Sequence, residues 1–280
     1  MQQFRPGGFS FLPPVVKNLL IINGLFFLAT IAVGNAFGID LYRLLGLHFP
    51  GAHNFAPYQF ITYMFMHGGF THLFFNMFAL WMFGNVLENV WGPKRFIIYY
   101  IVTGLGAALL HYAILYYQML PTLRAVNVLL ENPDHESLRV FFESDYFKVT
   151  SIEIQNSFRM FLRDYNALIN EAPNEAMVRA INFLNQYKID FLNAPVVVGA
   201  SGAVFGILLA FGMLFPNSMI YLFFAIPIKA KYFVMMYGAM ELYFGIANRP
   251  GSNIAHFAHL GGMIFGFLLI RYWKSKGKMY

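Results

Sequence analysis

The fold depends on one stretch, Gly199-Ala200-Ser201-Gly202-Ala203-Val204-Phe205-Gly206, which lies near the start of an apolar run from Val196 to Phe215. We expect this run to form a membrane helix. Gly199, Gly202 and Gly206 recur at helical spacing, so one helix face would be nearly bare backbone and would admit close neighbours. Taken alone, Ser201 is most simply a small packing residue. The other polar residues of the membrane part must decide whether it has a chemical role.

Composition identifies the class of protein. The chain has 280 residues, of which 58% are hydrophobic and 11% are charged, whereas a soluble domain carries roughly 25% charged residues. This is the composition of a membrane protein. The net charge of +6 does not require a nucleic-acid partner, because Lys and Arg concentrate at the cytoplasmic ends of membrane proteins. With no cysteine, disulfides and thiol catalysis are excluded.

Hydropathy and turn signals predict an all-α polytopic membrane protein with six spans. The spans are predicted at about residues 18–37, 71–90, 96–117, 196–215, 230–246 and 254–272. This organisation divides the chain into an N-terminal segment (1–14), helices 1–3 (15–118) with an interfacial first loop (38–69), an extramembrane helical insert (119–190), helices 4–6 (191–273) and a basic tail (274–280).

The insert contains most of the acidic residues of the chain. Apolar residues recur at helical spacing after Ser151, and a second amphipathic helix follows Asn174, a plausible N-cap. The insert either binds a substrate or partner, or forms a solvated hairpin that shields the loop.

The basic residues predict the orientation. On a six-span topology, ten of them fall on one side: Arg5, Lys17, Lys94, Arg95, Lys229, Lys231, Arg271, Lys274, Lys276 and Lys278. By the positive-inside rule both termini are cytoplasmic and the insert is outside. We expect an integral protein of the cell membrane (plasma or inner membrane), with its site open to the extracytoplasmic side.

Polar side chains from three predicted helices meet at the outer side of the membrane. His72 and Asn76 are spaced i, i+4 on one face of the second span, and His259 lies in the first turns of the sixth. Ser201 starts a helix that reaches Phe215 after about 22 Å, which is shorter than the hydrocarbon core of about 30 Å. Ser201 would therefore lie below the outer surface, at the floor of a water-filled indentation.

These residue types predict acyl transfer. A serine becomes a nucleophile when a neutral imidazole takes its proton, and the developing oxyanion needs hydrogen-bond donors. The N–H of Ser201 at a helix N-terminus is one donor, and His72 and Asn76 are two more. Neither Glu88, at the opposite end of its helix, nor Glu241, without an evident partner, completes a triad. We therefore expect a Ser201–His259 dyad, and we expect Glu88 to bind backbone or tyrosine groups.

At these residues the chain resembles the rhomboid family of intramembrane serine proteases. The motifs are His72-x-x-x-Asn76, Gly199-Ala200-Ser201-Gly202 and Ala258-His259-Leu260-Gly261-Gly262. The resemblance implies a six-helix bundle in which Ser201 is the nucleophile, His259 the base, and His72, Asn76 and the Ser201 N–H the oxyanion hole. It further implies that an aromatic residue, here Phe205, packs on the catalytic imidazole. The Gly262-x-x-x-Gly266 spacing fits close packing of the sixth helix on the fourth.

The implied activity is an endopeptidase that cleaves transmembrane proteins in the lipid bilayer, without a cofactor, a metal or a nucleic-acid partner. No pattern in the sequence indicates an oligomeric state. His256, one turn before His259, is the alternative base. Two alternative functions are a metal site built from His67, His72, His256 and His259, which no ligand spacing supports, and a non-catalytic rhomboid-like protein that binds membrane proteins. A relative of the second kind usually loses the serine or the histidine, and this chain retains both.

Overall fold

The computed structural model describes residues 9–222, 225–247 and 255–277. The chain forms two compact units: one of Met1–Leu47, Pro57–Tyr112 and Val197–Tyr280, the other of His48–Ala56 and Ala113–Val196. The predicted start of the sixth span near Ile254 and the ends of both tails lie outside the described residues. The domain boundaries stay a prediction.

Helices dominate both units. In chain order they are α1 (Pro14–Phe37), α2 (Leu41–Leu45), α3 (Gln59–Thr62), α4 (Phe70–Ala79), α5 (Asn85–Trp91), α6 (Pro93–Glu131), α7 (His135–Glu143), α8 (Ile152–Leu168), α9 (Pro173–Asn193), α10 (Ser201–Leu214), α11 (Ala230–Ala247) and α12 (His256–Ser275). A π-helical segment, Leu80–Gly84, joins α4 to α5, and a 3₁₀ turn, Tyr63–Phe65, follows α3. Four short strands are β1 (Leu47–His48), β2 (Val196–Val197), β3 (Met219–Leu222) and β4 (Ile226–Lys229).

Among the described residues, three helices are long and apolar enough to cross a membrane: Pro14–Phe37, Phe70–Trp91 and Pro93–Glu131. The helix of Ser201 is apolar but shorter, Ser201–Leu214. α11 and α12 occupy the segments predicted for the fifth and sixth spans. The all-α membrane fold is confirmed, and the count of six spans stays a prediction.

The end of one helix and the position of Gly199 differ from what the sequence predicts. The third helix continues to Glu131 with Pro121 inside it, instead of ending near Tyr117. The Ser201 helix begins at Ser201 itself, so Gly199 does not share a helix face with Gly202. Gly199 has φ of +126°, a backbone conformation that favours glycine and that no α-helix contains. Val196–Val197 is extended as strand β2.

Glycines bring α10, α12 and α6 together without intervening side chains. A Cβ on Gly262 would overlap the carbonyl group of Gly202, and a Cβ on Gly202 would overlap Ala107 of α6. The predicted close approach of α12 to α10 is therefore present at Gly262. Gly266, however, faces Tyr99 of α6, so the second glycine of the motif packs on the third long helix and not on the fourth.

Glu88 caps the first helix. It is 2% exposed, and its two carboxylate oxygens accept the backbone N–H groups of Val15 and Val16 at 2.9 and 2.8 Å. The first N–H groups of a helix have no partner within the helix, and α1 has no capping side chain of its own. The expectation that Glu88 binds backbone is confirmed.

Strands β3 and β4 form an antiparallel pair. Met219 lies opposite Lys229, and Leu222 lies opposite Ile226. Backbone pairing satisfies polar groups that a short non-helical segment near a membrane would otherwise leave open. The hairpin leads directly into α11.

The second unit contains α7, α8 and α9 and the end of α6. Aromatic rings from α7, α8 and α9 form its core, with Phe161 and Phe183 stacked at 4.5 Å. Ser151 caps α8 by accepting the N–H of Ile154, and Asp134 caps α7 through the N–H of Ser137 at 2.8 Å. Hydrogen bonding from the Ser137 side chain, and then from its backbone N–H, lowers the pKa of Asp134. The predicted N-cap Asn174 is wrong: α9 begins at Pro173 after Ala172, because proline suits the first turn of a helix.

Candidate functional site

The hydroxyl of Ser201 lies against an imidazole. Ser201 is the first residue of α10, and its Oγ is 2.9 Å from Nε2 of His259 on α12. The backbone ahead of the serine is held by a hydrogen bond from the N–H of Gly199 to the carbonyl of Tyr63 at 2.9 Å. The first helical turn therefore presents the serine toward α12 in a fixed position. This is the arrangement of a nucleophile and a base.

The ring of Phe205 covers one face of the His259 imidazole. The ring centroids are 4.2 Å apart and the planes differ by 5°. Phe205 is one turn after Ser201 on the same helix, so a single element supplies both the hydroxyl and the support for its partner. Stacking of this kind restricts rotation of the imidazole.

The imidazole ring of His72 lies beside Gly199. A Cβ on Gly199 would stand 2.8 and 2.9 Å from Cε1 and Nε2 of His72, and 3.7 Å from the Ser201 Oγ. The absence of a side chain at Gly199 thus leaves room for the His72 ring beside the serine. His67 meets the ring of His72 edge-on at 5.0 Å.

Asn76 is one turn after His72 on α4 and is 7% exposed. Its Nδ2 donates a hydrogen bond to the backbone carbonyl of His72 at 2.9 Å. An amide nitrogen has two N–H donors, so this bond fixes the amide and leaves a second donor.

The prediction that no carboxylate accompanies the pair is wrong. Oε2 of Glu241, on α11, lies 3.0 Å from Nδ1 of His259, on the edge of the ring opposite Ser201. The contact has the distance of an ion pair but is not aligned as a hydrogen bond. A signal was present in the sequence, because an ionisable residue inside a membrane segment is a functional candidate by default. Its partner could not be deduced, since the rotation of α11 against α12 is not contained in the hydropathy pattern.

His256, the alternative base considered from the sequence, is hydrogen-bonded to the carboxylate of Glu241. Its Nδ1 forms a hydrogen bond of 2.7 Å with the same Oε2 of Glu241. Of the two histidines of α12, His259 contacts the serine, and both contact the acid.

The described residues contain one group of three side chains compact enough to hold a metal ion: Glu241, His256 and His259. This set differs from the four histidines considered from the sequence, because neither His67 nor His72 is a member. The same three side chains form the cluster of one carboxylate and two imidazoles beside Ser201.

Comparison with known proteins agrees with the motifs. The model of the Rhomboid domain matches residues 54–126 and 176–275, which is more than half of the chain. The chain belongs to the rhomboid family. Together with the long apolar helices, this membership makes it a multi-pass membrane protein, and it supports an intramembrane protease-like function.

Three curated relatives are similar over shorter segments. Rhomboid-like protein 11, chloroplastic, of Arabidopsis thaliana is 34% identical over 95 residues, 33% of this chain and 34% of that protein. Putative rhomboid protease YdcA of Bacillus subtilis is 36% identical over 55 residues, 20% of this chain and 28% of that protein. Uncharacterized rhomboid protein P4H10.10, mitochondrial, of Schizosaccharomyces pombe is 35% identical over 89 residues, 30% of this chain and 23% of that protein. The chain thus spans about a third or less of each relative.

Proposed function

We propose that this rhomboid protein is an intramembrane serine endopeptidase that cleaves peptide bonds in or near transmembrane segments of other proteins. The observation that carries the proposal is the contact of 2.9 Å between Ser201 Oγ and His259 Nε2. It joins the first residue of one membrane helix to the second turn of another, inside a fold whose members include proteases.

The proposed reaction has two steps. The Ser201 O–H gives its proton to His259 Nε2 as Oγ attacks the carbonyl carbon of the substrate, and the imidazolium then returns the proton to the departing amine. A water molecule next attacks the acyl-serine with His259 again as base, which releases the new carboxylate and restores the serine. Atoms and charges balance without a cofactor.

Three groups are proposed to receive the developing negative charge: the N–H of Ser201, the ring of His72 and the amide of Asn76. The first has the positive end of the α10 dipole behind it. Each donor of this kind contributes about 10²–10³ in rate in other hydrolases. His72 borders Gly199, and the hydrogen bond of Asn76 to His72 keeps the amide in place.

The proposed substrates are membrane proteins, reached within the lipid bilayer. Small residues at the cleaved bond would fit a site floored by Gly199 and backbone, and residues that weaken helices would expose the bond.

We further propose that both termini are cytoplasmic in the cell membrane and that the site opens to the opposite side. Because the chain has no cysteine, single-cysteine variants at Lys17 and Ser151 report this orientation by reaction with an impermeant maleimide on intact cells. Labelling of Ser151→Cys alone is expected, and labelling of Lys17→Cys alone would reverse the orientation.

Reconstituted cleavage tests the activity. Purified protein in liposomes is incubated with a single-span substrate, and the wild type is compared with Ser201→Ala and His259→Ala. Cleavage by the wild type and its loss in both variants is the expected result. Cleavage that persists in Ser201→Ala would refute the serine mechanism, whereas no cleavage by the wild type together with stable binding of the substrate would favour a binding protein.

A further inference from the structure

The Ser201–His259 chemistry of the proposed function assigns no role to a partly buried acid, Glu241, that lies beside the base. The side chain of Glu241 is 13% exposed, and that of His256 is also 13% exposed. One oxygen of this acid, Oε2, lies 2.7 Å from Nδ1 of His256 and 3.0 Å from Nδ1 of His259. An ionised carboxylate is costly to bury unless it receives hydrogen bonds or neighbours a positive charge.

We propose that Glu241 is a positioning residue that keeps the proton of neutral His259 on Nδ1, so that Nε2 is free to accept the proton of Ser201. The inference rests on the proposed function, since it concerns the same base. It extends the site from two side chains on α10 and α12 to four, with His256 and Glu241 behind the imidazole.

Donor and acceptor chemistry decides which tautomer of His259 can act as the base. A neutral imidazole has one N–H donor and one acceptor nitrogen, and the serine step requires Nε2 to be the acceptor. An ionised carboxylate can only accept, so the nitrogen that faces it is stabilised when it carries the proton. When His259 becomes an imidazolium during the reaction, the adjacent negative charge stabilises that form as well. Acids in Ser-His-acid triads act in this way.

His256 fixes the position of the Glu241 carboxylate. Its aligned hydrogen bond of 2.7 Å holds Oε2 in place between α11 and the first turn of α12. The contact with His259 at 3.0 Å requires a small rotation to become aligned. Catalytic hydrogen bonds are often long or poorly aligned without substrate and tighten in the complex.

A metal ion bound by Glu241, His256 and His259 is the alternative to the positioning role. A zinc ion would need each ligand atom at roughly 2.0–2.2 Å from the metal, which separates neighbouring ligand atoms by about 3 Å or more. The separation of 2.7 Å between His256 and Glu241 is that of a direct hydrogen bond. A metal on Nδ1 of His259 would also remove the proton that the proposal places there.

Glu241→Gln in the full-length liposome-reconstituted protein tests the proposal, with Glu241→Asp as the conservative variant. Glutamine has the same shape but no charge, and its amide N–H₂ favours the wrong tautomer of His259. We expect kcat to fall by about 10²-fold, with KM and the thermal unfolding temperature unchanged. The rate of Ser201 labelling by a fluorophosphonate should fall in parallel, and Glu241→Asp should recover part of both rates.

Glu88→Gln is the matched control, because it neutralises a second glutamate of the helical bundle, one whose carboxylate accepts hydrogen bonds from the backbone N–H groups of Val15 and Val16. We expect it to lower thermal stability and to leave kcat and the labelling rate per folded molecule unchanged. A Glu241→Gln protein with kcat within about two-fold of the wild type, or with a loss that only follows a loss of stability, would overturn the proposal.

Two further outcomes separate this inference from others. Loss of wild-type activity on dialysis against a chelator, with recovery on zinc addition, would assign the three side chains to a metal and overturn the positioning role. Failure of the wild type to cleave, or cleavage by Ser201→Ala, would refute the proposed function itself. A wild type that cleaves, an inert Ser201→Ala and a fully active Glu241→Gln would refute the positioning role alone.

Discussion

Replacing Glu88 with glutamine removes the cap that α5 provides for the first helix. The carboxylate accepts two backbone N–H groups, at 2.9 and 2.8 Å, in a position where Glu88 is 2% exposed. Hydrogen bonds to a charged acceptor contribute about 1.5–3 kcal/mol each. Glutamine retains one neutral acceptor and turns an N–H₂ group toward the other backbone N–H. We therefore expect the free energy of unfolding to fall by about 2–4 kcal/mol.

Titration with sodium dodecyl sulfate in mixed micelles, followed by tryptophan fluorescence, measures this change. Glu143→Gln on α7 serves as the control, because its partner Arg139 is joined to it at an exposed position, with the Glu143 side chain 63% exposed, where an ion pair contributes little. No measurable change is expected there. A decrease of less than about 0.5 kcal/mol in Glu88→Gln would show that the capping reasoning is wrong, since the expected loss of hydrogen bonds is several times larger.

Three further substitutions probe the site. Gly199→Ala combines a backbone of φ +126° with a methyl group 2.8 Å from the His72 ring, so kcat for the single-span substrate should fall about ten-fold or more. Asn76→Ala should lower kcat by about 10²-fold, whereas Asn23→Ala, which removes a similar i, i−4 side-chain bond of 2.7 Å in α1, should leave kcat unchanged; equal losses would refute the oxyanion role. Phe205→Leu removes a stacked ring pair that contributes about 0.5–1.5 kcal/mol, and we expect lower kcat and a lower unfolding temperature, with Phe205→Tyr close to the wild type.

The elements of the membrane part could be predicted because hydropathy and turn chemistry act locally. The start of α6 at Pro93 after Gly92, with φ of +78°, and the extent of α11 follow from residues that can be counted along the chain. The end of α6 could not be predicted, because Pro121 and the polar residues after Tyr117 indicate a break, and the helix nevertheless continues to Glu131.

Contacts between side chains of different helices could be predicted only where a sequence motif identified both partners. His259 and Ser201 could be paired from their depth and from the glycines that bring α10 and α12 together. Glu241 could not, because nothing local indicates which way α11 faces. The same limit applies to Gly266, whose partner is Tyr99 of α6 and not α10.

In the proposed mechanism Ser201 is a nucleophile activated by His259. The covalent reaction of the purified protein with a fluorophosphonate, followed by intact mass and peptide mapping, measures this activation directly. We expect a single adduct on Ser201, formed in the wild type and absent in both Ser201→Ala and His259→Ala. An adduct on a different residue, or a labelling rate at Ser201 that His259→Ala leaves unchanged, would contradict it.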